Sequence, residues 1–385
     1  MQPITRDGKV KLNQNTNGGR VVVSCDGGAG SSGKGCLNAW LADKYKFHLA
    51  TNNWATNAGH FTEFDDGTRV LVQHIPSAFI DTSVELYINA GASLDLDVLF
   101  KEIEMIEKLG YDIRNRLTIH PNANVIIEAD KLQEKELIKS GSTFKGCGAA
   151  LAGKTLRQGR KLAKDYDELR PFIKDRTVEI NDGVASGMCV LVEGSQGIDL
   201  DINHAEFPHV TSRQTIPTQL VADVGLPPQA VTNVIVNLRT NPIRISNQSA
   251  AKDEVCYTGN YWDAKEISWE EVAQRAGYDP EEFKKIYAYA LLTSVTKKIR
   301  RVFEFPKKRM AYIHSMVGGN LPNSHVLYSL NFLNFIDSAL NIQTIGDAMT
   351  PRVTKWLDEN LYPIVGRHNL KWLRYGARHN QSVEI

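Results

Sequence analysis

The run from Arg20 to Leu41 constrains this chain more than any other stretch. Val21-Val22-Val23-Ser24-Cys25 is short, apolar and β-branched. Asp26-Gly27-Gly28-Ala29-Gly30-Ser31-Ser32-Gly33-Lys34-Gly35 is a glycine-rich turn, and Cys36-Leu37-Asn38-Ala39-Trp40-Leu41 has helical spacing of apolar residues. A strand that turns through glycines into a helix gathers backbone N–H groups and a helix N-terminus around one point, which suits a phosphate. Gly28 to Lys34 fits G-x-x-x-x-G-K, but Gly35 stands where a nucleotidase P-loop carries the Ser or Thr that holds magnesium. The pattern predicts a phosphate cradle whose metal is held some other way. A plain glycine-rich surface turn is the alternative.

Further along, apolar runs predict strands at Val70–His74, Leu86–Ala90, Leu117–Ile119, Val125–Ile127, Cys189–Glu193 and Val231–Leu238. Helical spacing appears at Leu96–Leu109, Ala129–Lys139, Trp269–Ala276, Pro280–Leu291 and Val326–Leu340. Strands alternating with helices predict an α/β fold with a largely parallel central sheet flanked by helices. No linker rich in Pro, Gly and Ser divides the chain. One domain is therefore expected over residues 20–385, after a flexible polar arm over 1–19 that lacks the apolar core of a signal peptide. The formal net charge of +1 gives no field that would direct the chain to nucleic acid or membrane, so neither is expected as a partner. No apolar run approaches the roughly 20 residues of a membrane span. Cys25, Cys36, Cys147, Cys189 and Cys256 form no C-x-x-C pair. They are expected as reduced core thiols in a cytoplasmic compartment. Lys101-Glu102, Glu104 and Glu107-Lys108 are expected on a solvated helix face, and Lys307-Lys308-Arg309 on the surface. His120, His314 and His325 lack spaced ligand partners and are expected to be structural.

Asn52-Asn53-Trp54-Ala55-Thr56-Asn57-Ala58-Gly59-His60 resembles the N-A-G-H segment of adenylosuccinate synthetases, which follows a G-D-E-G-K-G loop at about this distance. Here that loop reads Gly30-Ser31-Ser32-Gly33-Lys34-Gly35, so Ser31 replaces the family's catalytic Asp. Gly141-Ser142-Thr143-Phe144-Lys145-Gly146-Cys147-Gly148 resembles the family's G-T-T-G-R-G-I-G segment. Arg157 follows at the position whose arginine, in the family, crosses a two-fold interface. Glu193-Gly194-Ser195-Gln196-Gly197, then Asp199, Asp201 and His204, then Phe207-Pro208-His209-Val210-Thr211-Ser212, resemble E-G-A-Q-G, L-D-I-D-H and Y-P-Y-V-T-S. Asp199, Asp201 and His204 are expected as hydrogen-bonded scaffold and not as a metal cluster. Thr293 to Arg301 resembles the aspartate-binding loop T-x-T-G-R-x-R-R, with Lys298 in place of one arginine. Asn334 falls where the family's T-K-L-D run ends in Asp, and Arg374-Tyr375-Gly376 weakly matches its final nucleobase segment.

The resemblance implies an adenylosuccinate synthetase-like, P-loop-type fold and a set of residue roles. Ser31, His60 and Lys34 would be catalytic. Ser31, Asn57, Ser142, Thr143, Arg157, Gln196 and Thr211 would hold a nucleoside monophosphate, with Arg157 reaching the partner's site in a homodimer. Val295, Thr296, Lys298 and Arg300 would bind L-aspartate. Gly30, Gly33, Lys34, Gly35, Thr62, Asn334 and Gly376 would bind the triphosphate, and Ser31 with the Gly59 carbonyl would hold Mg2+. Ser31 and the short chain together resemble the family's phage-type 2-aminoadenylosuccinate synthase branch. That branch joins dGMP to L-aspartate with ATP or dATP, through a 6-phosphoryl intermediate, for 2-aminoadenine DNA. A hydroxyl leaves room for the purine 2-amino group that a carboxylate beside N1 would meet. An amide at Asn334 carries donors as well as an acceptor, which suits adenine and removes the double acceptor that guanine needs. An ordinary synthetase using IMP and GTP, and a non-catalytic nucleotide-binding module, remain the alternatives.

Overall fold

The computed structural model describes residues 19–137, 142–157, 159–247, 258–293, 298–340, 348–378 and 381–385. The expected arm lies outside these except for Gly19, whose N–H donates to the Val184 carbonyl. Val295, Thr296 and Cys256 also lie outside the described residues.

Nine strands form the central sheet. Their order is Ser382–Glu384, Leu370–Arg374, Val326–Asn331, Val231–Arg239, β1 (Arg20–Asp26), Cys189–Glu193, β2 (Leu49–Asn52), Glu85–Ile88 and Leu117–Ile119. All neighbours run parallel except Ser382–Glu384, which closes one edge antiparallel to Leu370–Arg374. β1 is central and buried along its whole length. Successive side chains of a strand point to opposite faces. Val22 accordingly packs with Leu37, Leu41 and Ile235 on one side, while Val21, Val23 and Cys25 pack with Val192, Leu220 and Val236 on the other. Apolar residues in both alternating sets are what a doubly covered parallel strand requires. The parallel strands end on a common rim at Asp26, Asn52, Glu193, Arg239, Asn331 and Arg374, where sheets of this kind gather ligand-binding loops.

Four expectations are corrected. Val326–Leu340 is not a helix: Val326–Asn331 is a strand between Val231–Arg239 and Leu370–Arg374, followed by a single 3-10 turn at Leu333–Phe335. Val326, Leu327, Leu330 and Leu333 recur at helical spacing, which conceals that Val326, Tyr328 and Leu330 share one buried face of a strand. Pro280–Leu291 breaks at Tyr287 into Pro280–Ile286 and Ala288–Leu291. Glu102, within α2 (Leu96–Lys108), is buried and not solvated: its carboxylate accepts backbone N–H bonds from Gln73, His74 and Ile75, and burial pushes its pKa up to about 7. Lys307 and Lys308 are exposed, but Arg309 is buried and paired with Asp199 at 2.5 Å. That pair supports the scaffold reading of Asp199. Asp201 likewise accepts backbone N–H bonds from Asn203, His204 and Thr215. Cys25, Cys36, Cys147 and Cys189 are buried thiols. No helix among the described residues is long and apolar enough to cross a membrane.

Candidate active site

β1 ends at Asp26, and the turn to α1 (Lys34–Lys44) uses left-handed backbone at Gly30, Ser31 and Gly33, with φ of 85°, 56° and 84°. No side chain caps α1 and no acidic residue occupies its first turn. Its leading N–H groups and the positive end of its dipole are thus left to serve an anion. Asp26 organises the turn from beneath: one carboxylate oxygen accepts the Gly28 N–H at 2.7 Å, and the other accepts the Ser32 hydroxyl and the Lys34 amine, the latter at 3.0 Å. Lys34 also donates to the Gln196 carbonyl at 2.6 Å, which ties the turn to the loop after Cys189–Glu193. Gln196 reaches that position through a φ of 57°.

Above the turn lies a cleft of about 790 Å³. It brings together Ser31, Lys34, His60 and the Gly59 backbone with Asn57, Ser142, Thr143, Gln196 and Thr211. Gly30, Gly33, Gly35, Arg300, Asn334 and Gly376 of the expected set also lie on its walls. Asn57 Nδ2 donates to Thr211 Oγ1 at 3.4 Å, joining two elements far apart in sequence. Ser31 Oγ accepts from Arg300 Nη2 at 3.0 Å, and the Ser31 carbonyl accepts from Arg239 Nη1 at 2.9 Å. Burial pulls these guanidinium pKa values down to about 10 and about 9 respectively, Arg300 adding to the effect at Arg239. His60 opens β3 (His60–Glu63); its Nε2 is buried without a partner among the described residues, and burial together with Lys34 holds the imidazole well below its usual pKa. Neither atom of the buried Asn334 amide meets hydrogen-bond geometry with a described residue.

Three expected residues stand elsewhere. Thr62 is buried in β3 and not on the cleft wall, Lys298 is exposed outside it, and Arg157 is exposed just beyond α4 (Cys147–Thr155). The second glycine-rich loop also differs from a bare phosphate cradle. Glu134 of α3 (Glu128–Leu137) accepts the Gly146 N–H at 2.8 Å and also the Gly148 N–H, leaving hydroxyl and amide side chains as the donors there.

The sequence reading missed Glu134, Arg239 and Arg374 as cleft-associated groups. Arg239 and Arg374 carried a signal, since each closes an apolar strand at the rim where loops converge. Glu134 carried none, because its pairing depends on how α3 and α4 dock. No group of three or more His, Cys, Asp or Glu suited to a metal occurs among the described residues.

The adenylosuccinate synthetase family model matches residues 27–167 and 160–249. Adenylosuccinate synthetase from Methanococcus aeolicus is 36% identical over 221 residues, covering 56% of this chain and 65% of that one. The chain thus matches just under two thirds of the length of such relatives. An N6-succino-2-amino-2'-deoxyadenylate synthase from Vibrio phage phiVC8 is 31% identical over 285 residues, covering 72% of this chain and 76% of that one. Two solved structures share the fold. A Cyanophage S-2L succinoaminodeoxyadenylate synthetase (PurZ), bound to dGMP and dATP as an energy donor, has a TM-score of 0.74 at 23% identity, covering 96% of each chain. A fully ligated adenylosuccinate synthetase from Plasmodium falciparum has a TM-score of 0.73 at 16% identity, covering 95% of this chain and 100% of that one.

Proposed function

The chain belongs to the adenylosuccinate synthetase family, and from that premise we propose that it is a C–N ligase joining dGMP to L-aspartate with ATP or dATP. The observation that carries the reading is Ser31. It is a neutral hydroxyl on the cleft wall, held by Arg300, where the family resemblance calls for a carboxylate. The phage relative whose name specifies a 2-amino-2'-deoxyadenylate product supports the same choice.

The purine O6 attacks the γ-phosphorus of the triphosphate as N1 releases its proton to water, giving ADP or dADP and a 6-phosphoryl purine. The aspartate amine then adds at C6 and gives up one proton, and the C6–O bond breaks with phosphate as leaving group. Lys34 and the α1 N-terminus stabilise charge on the transferring phosphoryl. His60 donates a hydrogen bond to the oxygen that bridges carbon and phosphorus. The imidazole is neutral at pH 7, so it donates through an N–H without carrying a charge. Arg300 clamps an aspartate carboxylate, Asn57, Ser142, Thr143 and Thr211 hold the monophosphate, Gln196 holds the purine edge, and Asn334 reads the adenine of the donor. The chain's own donors toward Mg2+ are the Ser31 hydroxyl and the Gly59 carbonyl, with no acidic cluster among the described residues. This fits an ion that arrives with the nucleotide and keeps phosphate oxygens as most of its ligands. When bound, Mg2+ would neutralise phosphate charge. Exposed Arg157 next to exposed Leu156 suits a homodimer in which Arg157 enters the partner's site.

The test is phosphate release by purified protein over dGMP, GMP and IMP against ATP, dATP and GTP, with aspartate and magnesium. Turnover with dGMP and an adenine donor is expected. Turnover with IMP and GTP alone would overturn the substrate assignment, and nucleotide binding without phosphate release would overturn the ligase reading.

A further inference from the structure

His60 owes its orientation to a residue outside the expected catalytic set. The indole of Trp54 lies flat against the imidazole, with ring centroids 3.5 Å apart and planes 6° from parallel. Trp54 is itself fully buried and fixed. Its Nε1 donates to the Glu193 carbonyl at 2.8 Å, and its backbone N–H donates to Asn52 Oδ1 at 3.4 Å. The Glu193 carboxylate is anchored in turn by Asn38 of α1 and by the Ser77 and Ala78 N–H groups, all within 3.1 Å. A rigid brace therefore runs from the sheet rim through the indole plane to the His60 ring.

We propose that Trp54 is a positioning residue for His60: its ring plane fixes the imidazole's rotation and seals one of its faces from water, so that the ring meets the cleft in a single orientation. The inference rests on the ligase reading above. The outer torsion of a histidine is broad and would otherwise let the ring swing, and a misplacement of about 1 Å at a reacting group can cost roughly 10² in rate. Sealing the face also keeps the ring dry, consistent with its depressed pKa. The unpartnered Nε2 shows that no protein acceptor competes for this orientation among the described residues.

The test compares wild type, Trp54→Phe and Trp54→Met by phosphate release and by the His60 ring-proton NMR signals at one fixed pH, assigned by their loss in His60→Gln. For Trp54→Met, kcat should fall about 10²-fold with each KM within about threefold, and the single set of His60 signals should broaden or split as the ring samples more than one orientation. Trp54→Phe keeps a plane and should recover at least about tenfold of that loss. A folded Trp54→Met protein with wild-type kcat, an unchanged single set of His60 signals in it, or a Trp54→Phe protein as slow as Trp54→Met would each overturn the proposal. If Trp54→Met does not fold, Trp54→Phe decides alone: its smaller ring must broaden the His60 signals, and unchanged signals refute the role. Wild-type protein silent with every substrate set would sink the ligase reading and leave the His60 signals to judge the Trp54–His60 coupling by themselves.

Discussion

Replacing Ser31 by Asp tests the electrostatic core of the site. Position 31 has φ of 56°, in the left-handed region where Asp is one of the few side chains enriched. The substitution should therefore leave the turn in place and change only charge and length. A carboxylate oxygen would stand near the present hydroxyl, 3.0 Å from Arg300 Nη2. Unit charges about 4 Å apart attract by about 4 kcal/mol at an effective dielectric of ~20. Much of this is lost to desolvation, and about 1.5–3 kcal/mol remains as a hydrogen bond to a charged group. A substrate carboxylate that uses Arg300 must displace that bond, so KM for L-aspartate should rise roughly 10- to 150-fold. The same carboxylate crowds a purine 2-amino group, so kcat/KM for dGMP should fall relative to IMP. Steady-state phosphate release, with aspartate varied at saturating dGMP and then at saturating IMP, measures both effects. An unchanged aspartate KM, or IMP turnover gained with dGMP turnover intact, would refute the reasoning.

Asn334→Asp supplies the double acceptor that guanine requires, and should shift the donor ratio from ATP toward GTP by about 10², a few kcal/mol of base discrimination; competition between the two nucleotides measures it. In Gly35→Ala the new Cβ would lie 2.7 Å from the Phe61 carbonyl oxygen and 2.8 Å from its nitrogen, so α1 must move off β3. A loss of about 1–3 kcal/mol in thermal unfolding, with weakened nucleotide binding, is expected. Arg309→Met leaves the buried Asp199 carboxylate without its partner and should cost about 3–5 kcal/mol in chemical denaturation. Glu102 holds a proton to about pH 7 in the native state, whereas the unfolded chain releases it near 4.5. Native protein therefore binds more protons within that window, and stability should decline as pH rises through it and level off above 7. Relative to Glu102→Gln, the decline should reach up to about 3 kcal/mol in denaturation series at stepped pH.

The strand, glycine turn and helix over residues 20–44 were legible because their signal is local: β-branched run, glycines, lysine and helical spacing lie within some twenty residues. Gln196 was legible for a similar reason, sitting just past an apolar strand end. Glu102 and Arg309 were misread because each lies within a polar run, and burial depends on what docks against a helix, here the backbone of residues 73–75 and Asp199. Val326–Asn331 was misread because its apolar residues and Leu333 of the turn after it fall at helical spacing. The meeting of Ser31 with Arg300 spans 269 positions and has no local signature. Resemblance placed both residues, yet only packing shows that one holds the other.

β1 is the fifth of nine strands, hydrogen-bonded on both edges and covered on both faces. Its amides can exchange with deuterium only when the whole sheet opens, so they should belong to the slowest-exchanging cooperative unit of the molecule. The turn at residues 26–35 hangs directly from that unit. Its shape is therefore a property of the resting scaffold, and under the proposed function a nucleotide would meet a turn already set, with no affinity spent on organising it.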